Sequence, residues 1–332
     1  MQSHFSNVLR DASKSWVYHP QSIVVRSPRK DSDFSRRLAK ALGAFHQVGL
    51  VFHGECAFRL AAFDALSNGE GCWGEVAVDG RQSAFHRQGH FELPALRLLL
   101  LEADLVVVDG AIDDGSAVVL ELDSAGGGWE SLGESARSQV VACVGPRPSY
   151  VPPGGVAWFP DQDLDGLVDY LRDHFERKMG ERRLWWVLET DESPEHPALA
   201  AMVGEWLAAN RPVAVRGTCA QQWERLGAVP LGPSSHPGWG KLGALLSLWD
   251  FDPSAAFFQV NGVQALDLEN LLAQRDAFQF ATAYRETQTH LPQTGAVIWE
   301  PKSRAKILQS VAAGLSCPQR VLVHARTRLL DR

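Results

Sequence analysis

The chain is short of the residues that announce chemistry from sequence alone. Its five cysteines, at 56, 72, 143, 219 and 317, form no C-x-x-C pair, so neither a structural zinc site nor a disulfide scaffold is expected. Reduced thiols and a cytoplasmic location follow as the plain expectation. A basic surplus is also missing. Lys and Arg number 32 against 39 Asp and Glu, a net charge of −7, which argues against a general nucleic-acid binder. No apolar run approaches the ~18 residues needed to span a bilayer; the longest, at 98–101, is cut short by Glu102 and Asp104. The opening MQSHFSNVLRDASKSW has no apolar stretch followed by small residues, so neither a secretory signal nor membrane attachment is expected.

What is present is a foldable chain long enough, at 332 residues, for two domains. Short β-branched runs alternate with amphipathic stretches. SIVV (22–25), VGLVFH (48–53), DLVVVDG (104–110), AVVLEL (117–122), VVACVG (140–145) and VAWFP (156–160) read as strands, and GEVAVDG (74–80) as a weak strand or hairpin arm. Helices are expected at 34–45, 94–103 and 163–179. After the polar joint GERR (180–183) a second series begins: strands LWWVLE (184–189), PVAVRG (212–217), AAFFQVNG (255–262), QFATAYRE (279–286) and TGAVIWEP (294–301), with helices at 197–209, 240–250 and 267–275 and a last long one over SRAKILQSVAAG. Apolar strands alternating with helices predict α/β architecture: two doubly wound, mostly parallel-sheet domains, over 1–179 and 183–332.

The loop after SIVV is where such a domain carries phosphate-binding glycines, a Lys for the β/γ oxygens and a Ser/Thr for magnesium. Here it reads Arg26-Ser27-Pro28-Arg29-Lys30-Asp31-Ser32-Asp33, without a glycine, with Ser32 where the Lys would be and Asp33 where the Ser/Thr would be. Two carboxylates repel a triphosphate, so magnesium-GTP is not expected to bind. Arg26, Arg29, Lys30 and Ser32 remain as a residual anion site at a helix start, or as a solvated basic face. Asp109, at the end of DLVVVDG, is the candidate for a magnesium-organising carboxylate; an Asp-Gly turn is the plainer alternative. SIVVRSPRKDSDFSRRLAKAL, QVGLVFH with His53, ADLVVVDG and the tail VVACVG…FPDQDLDGLVDYLRDHF together resemble the MobB family, P-loop GTP-binding proteins that assist nucleotide attachment to molybdopterin. The resemblance spans about 20–178 and implies a degenerate P-loop-like domain.

In the second half, HPGWGKLGALLSLWDFDPSAAFFQVNGVQALDLENLLAQRD and TGAVIWEPKSRAKILQSVAAG resemble the MobA-type nucleotidyltransferases, which join GMP or CMP to molybdopterin. That resemblance spans about 184–330 and implies a nucleotidyltransferase, Rossmann-like domain. The departures fall on the chemistry. The family's glycine-rich, basic strand-loop is replaced by LETDESPEHPAL, which carries Glu189, Asp191, Glu192 and Glu195. Its magnesium-binding Asp is replaced by Asn261, an amide and a poorer ligand. The turn Gly238, Trp239, Gly240, Lys241 and Gly243 survives and, with Asn261, is the candidate contact for a pterin or nucleotide.

Other patterns point less far. His86 and His90 in HRQGH have i,i+4 spacing but no accompanying Glu, so no metal site is expected. The tryptophans of the second half suit stacking on a planar ring, and suit core packing better. The resemblances imply a non-catalytic factor in molybdenum-cofactor maturation, with both phosphate loops degraded. It would bind molybdopterin, its dinucleotide, a molybdoenzyme or a cofactor-biosynthesis protein, and a homodimer is a further arrangement in view. An active molybdopterin guanylyl- or cytidylyltransferase is the first alternative, using Asp109, Asp252 or Asp267 for metal. A purely structural subunit or assembly scaffold of a molybdoenzyme is the second.

Overall fold

The structure, a computed structural model, describes residues 21–27, 33–46, 48–52, 71–78, 81–88, 103–109, 117–122, 129, 132, 134–146, 156–263 and 267–331. The chain divides into two compact units, one over 20–178 and one containing 179–332. The helix predicted at 94–103 lies almost wholly outside the described residues, as do Arg29, Lys30 and Ser32.

In the first unit the strands are β1 (Gln21–Arg26), β2 (Val48–Phe52), β3 (Gly71–Val78), β4 (Arg81–Gln88), β5 (Leu105–Asp109), β6 (Ala117–Glu121), β7 (Val140–Val144) and β8 (Ala157–Phe159). They form one sheet in the order β4-β3-β2-β5-β1-β6-β7-β8. From β2 to β8 neighbouring strands pair in parallel, and the β3–β4 hairpin adds an antiparallel edge. The parallel strands are apolar along their length, as in a sheet buried on both faces. Ile23, Val24, Val107 and Val119 are fully buried. Helix α1 (Phe34–Leu42) turns Phe34, Leu38 and Leu42 inward. A short helix, α2 (Glu134–Arg137), precedes β7, and α3 (Leu164–Gly180) ends at the join between the units. The Asp163 carboxylate accepts a bond from Gly166 N–H in the first turn of α3. His86 stands in β4, an extended segment rather than a helix, so four-residue spacing does not bring two side chains onto one turn. His90 lies outside the described residues.

The second unit is built from β9 (Leu184–Glu189), α4 (Pro197–Ala208), β10 (Val213–Arg216), β11 (Val229–Pro230), α5 (Gly240–Phe251), β12 (Ala256–Asn261), α6 (Leu268–Ala273), β13 (Ala281–Arg285), β14 (Pro292–Trp299), α7 (Ser303–Ala312), α8 (Pro318–His324) and β15 (Thr327–Leu330). The sheet order is β11-β10-β9-β12-β14-β13-β15. Strand β14 runs antiparallel to both of its neighbours, and the other pairings are parallel. One face, with Val187, Ala214 and Phe257, packs under α5, α7 and α8. The opposite face, with Trp186, Leu188 and Phe258, packs on α4, a 3-10 segment at Ala220–Leu226 and α6. The helix at 303–312 is not the last element, because α8 and the edge strand β15 follow it.

The joint is less free than its composition predicts. Arg182 reaches to 3.6 Å from Glu300, which is fully buried and gripped by Arg275 at 2.5 and 3.0 Å. Arg183 and the Trp185 indole both meet Asp252. These contacts tie the start of β9 into the floor of the second unit.

Candidate functional site

Open α/β sheets place ligands at the carboxyl ends of their parallel strands. In the second unit three adjacent strands end at one level. Arg216 is in register with Glu189, and Glu189 with Asn261. Partners in register point to the same side of a sheet, here the side covered by α5. The end of the sheet is thus lined by a cation, a carboxylate and an amide.

Two of the three, Arg216 and Asn261, already hold hydrogen-bond partners in the protein. Arg216 Nη1 stands 3.2 Å from Glu189 Oε1 and donates to the carbonyl of Ala244 in the second turn of α5. The carboxylate is at ion-pair distance without the alignment of a hydrogen bond, and Arg216 Nε is buried with no acceptor. Burial pushes the Glu189 carboxyl above the usual carboxylate range. Arg216 pulls it back and Asp191 adds to the rise. Burial likewise lowers Arg216, against the pull of Glu189. Asn261 uses its amide to cross-link the sheet: Nδ2 donates to the Thr294 carbonyl at 2.6 Å. Its Oδ1 faces Gln259, whose own oxygen accepts from the Trp299 indole. An aspartate has no proton to offer Thr294 at neutral pH, so the amide here does work a metal ligand would not.

The acidic segment after β9 is folded on itself. Thr190 Oγ1 accepts from Glu192 N–H, Ser193 Oγ from Glu195 N–H, and His196 caps α4 through Leu199 N–H. Asp191 accepts from Thr218 N–H at 3.0 Å, and the Trp223 indole donates to the Glu192 carbonyl. Its hydroxyls and part of its backbone serve local turns and Asp191 reaches across to Thr218, where a phosphate-wrapping loop would present free N–H groups. Gly217, at φ +145°, lets the next loop pass so close that a Cβ there would overlap the Thr190 carbonyl oxygen.

The turn at 236–243 lies before and within the start of α5. Pro237–Trp239 make a single 3-10 turn, and Gly240 enters the helix at φ +54°. Trp239 stacks on His236, with rings 4.7 Å apart and 4° from parallel. Gly243 is buried against the His236 carbonyl, which a Cβ would overlap. Gly238, Gly240 and Lys241 are exposed. Of the predicted contacts, the structure groups Gly238, Trp239, Gly240, Lys241 and Gly243 in this turn and puts Asn261 at the end of β12.

In the first unit, Arg26 closes β1, and its Nε is buried without an acceptor. Asp33 precedes α1 and pairs with Arg37 at 3.0 Å. Asp109 ends β5, in register with Val25 and Phe52. Among the described residues no three His, Cys, Asp or Glu side chains are grouped as a metal ion needs. No helix among them is long and apolar enough to cross a membrane. Cys143 is buried, which pushes its thiol up to about 11 and makes it a poor nucleophile.

Sequence reasoning passed over Arg216 and the contact between His236 and Asp250. A signal for Arg216 was present: a charged residue closing an apolar strand directly before a glycine, as Glu189 closes the strand beside it.

No family model matches the chain, and no curated protein matches it in sequence. Among solved structures, it is similar to molybdopterin-guanine dinucleotide biosynthesis protein A from Archaeoglobus fulgidus. That likeness has 9% identity, covers 44% of this chain and 83% of the other, and has a TM-score of 0.32. A protein of Aquifex aeolicus VF5 gives 12% identity, 46% and 88% coverage, and again a TM-score of 0.32. Scores at that level carry no argument about the reaction, so what stands is the architecture itself: two mixed α/β units, each a mostly parallel sheet between helices.

Proposed function

We propose that the second unit binds and does not transfer: the protein is a non-catalytic factor of molybdenum-cofactor maturation, holding molybdopterin, its dinucleotide or a partner protein. The observation that carries this reading is the strand-end row Arg216–Glu189–Asn261, where the guanidinium faces the Glu189 carboxylate and the Ala244 carbonyl and the amide is bonded to Thr294. Nucleotidyl transfer requires cations and N–H donors around a triphosphate as pyrophosphate leaves. Here the one cation in the row faces an internal carboxylate, the amide is spent on Thr294, and the preceding loop is acidic. The sequence resemblance to molybdopterin nucleotidyltransferases supplies the ligand class. The 236–243 turn is where this reading places a flat ring, beside Trp239.

The test is a mass spectrum of small molecules released from purified full-length protein, together with a pyrophosphate-release assay using molybdopterin with GTP or CTP. A released pterin or pterin dinucleotide, with no pyrophosphate above background, is the expected outcome. Steady formation of pterin dinucleotide would replace this reading with an active transferase. A protein that carries and takes up no pterin would leave the scaffold role.

A further inference from the structure

The chain contains two Asn-Gly steps, at 68–69 and 261–262. The first lies outside the described residues; the second closes β12 at the strand-end row. Each residue of the second step is fixed for its own reason. Asn261 supplies the amide that donates to Thr294. Gly262 turns the chain at φ +66°, a left-handed conformation that residues with a Cβ adopt at a cost. Side by side, the two make the dipeptide most open to spontaneous deamidation. Glycine places no Cβ in the way of its own nitrogen as that nitrogen attacks the neighbouring amide.

The reaction is a hydrolysis. The Gly262 nitrogen gives its proton to hydroxide and attacks Cγ of Asn261. A C–N bond closes a succinimide ring, and the side-chain nitrogen leaves as ammonia. Water then opens either carbonyl of the ring, giving aspartate or isoaspartate, with nothing oxidised or reduced. The fold turns the two reacting groups toward opposite neighbours. β12 lies between β9 and β14. The Asn261 amide reaches to the β14 side and donates to the Thr294 carbonyl at 2.6 Å. The Gly262 N–H points to the β9 side and donates to the Glu189 carbonyl at 3.1 Å. Open space surrounds the Cβ position of Gly262, so these bonds, and not crowding, are the restraint.

We propose that Asn261–Gly262 is a deamidation site guarded by the fold: while the Thr294 and Glu189 carbonyls hold the side-chain amide and the glycine N–H, the ring does not close, and Asn261 converts only when the end of β12 opens. Two hydrogen bonds of ordinary net strength must break together, which slows the reaction about 5- to 150-fold relative to the open chain. Conversion is not undone by reclosing. Aspartate has no proton to offer Thr294 at neutral pH. Isoaspartate inserts an extra carbon into the main chain and moves the Gly262 N–H off Glu189. Each converted molecule therefore loses part of the pairing that had protected it. Neither bond depends on the ligand proposed above.

The experiment incubates full-length protein, with no ligand added, at pH 8 and 37 °C, folded in buffer and unfolded in guanidinium chloride. Peptide mass spectrometry then follows the small mass gain of an amide becoming an acid, located by fragmentation. In denaturant, Asn261 and Asn68 should convert at comparable rates, Asn68 serving as the reference for the same step in the same chain. In the folded protein, conversion at Asn261 should be about 5- to 150-fold slower than in denaturant. Native-state exchange of the Gly262 N–H, read by NMR in the same buffer, should be protected, since it needs part of the same opening. Equal conversion of Asn261 in the folded and unfolded chains overturns the guard, and so does a Gly262 N–H that exchanges as in a free peptide. An Asn261 that stays intact in denaturant while Asn68 converts overturns the site itself. Since no pterin is present, failure of the ligand reading leaves these results untouched.

Discussion

Replacing Arg216 by Met tests whether the strand-end pair is as self-contained as its geometry implies. Two unit charges 3.2 Å apart attract by about 5 kcal/mol at an effective dielectric of about 20, and much of that is offset by the hydration both ions lose. Keeping the pair is therefore near neutral, whereas breaking it leaves one charge buried alone, at about 3–5 kcal/mol. Glu189 retains 20% of its side-chain exposure, so the expected loss is at the lower end, about 3 kcal/mol. The double variant Glu189→Leu/Arg216→Met should return to within about 1 kcal/mol of the native protein. The pH dependence has a definite sign. The folded Glu189 carboxyl is already raised by burial and loses the guanidinium that pulls it down, while the unfolded one titrates normally. Folding of Arg216→Met therefore takes up a proton. Its stability is best below the unfolded glutamate range and is lost as pH rises through the raised folded value. Urea unfolding at pH 5 and pH 7.5, followed by the fluorescence of Trp186, Trp223, Trp249 and Trp299, all buried in this unit, reads both effects. If the single variant is no less stable than the double one, or its penalty is equal at the two pH values, the pair is not a buried, interdependent unit.

Asn261→Asp should lose the bond to Thr294 and set a carboxylate against its carbonyl, at about 1–3 kcal/mol in urea unfolding at pH 7; it should gain no pyrophosphate release, and such a gain would count against the non-catalytic reading. Gly217→Ala combines an unfavourable φ with overlap on the Thr190 carbonyl, so a loss above about 3 kcal/mol, or no folded second unit at all, is expected; a change under about 1 kcal/mol in its thermal melt would contradict the close approach. A fragment beginning at 179 should melt cooperatively and higher than one beginning at 183, which lacks Arg182 beside the buried Glu300; equal melting temperatures would mean that this contact contributes nothing.

Much of the architecture was legible because buried parallel strands announce themselves. SIVV, DLVVVDG, LWWVLE and AAFFQVNG each matched a strand to within a few residues. What escaped was structure without an apolar signature. RQSAFHRQ is polar along its length, yet it is β4, paired residue for residue with β3. RTRLL carries two arginines in five residues, yet its last four residues form β15. At the site, the acidic residues 189, 191, 192 and 195 stood out as a charge pattern that would repel a triphosphate. Their partners could not be read off. Glu189 finds Arg216 27 residues on, and Asp191 finds Thr218. Long-range pairing of this sort depends on strand register, which single-sequence periodicity does not supply. Asn261 was noticed for the carboxylate it replaces; that it bridges to Thr294 required knowing that β14 lies beside β12.

The strand order of the second sheet also sets a timetable for its assembly. β12 is held on one side by β9, some 70 residues earlier, and on the other by β14, more than 30 residues later, while the edge partner of β13 is at 327–330. Few of these pairings are local, and closing such loops slows folding. On a ribosome, β9, β10 and β12 would therefore emerge with an open flank of Phe257, Phe258 and Val260 and wait for residues 292–299 to cover it. Growing chains in that interval expose strand edge and apolar surface together, the combination that chaperones bind and that aggregates form from. Any pause that holds residues 292–299 back after β12 has emerged prolongs that exposure.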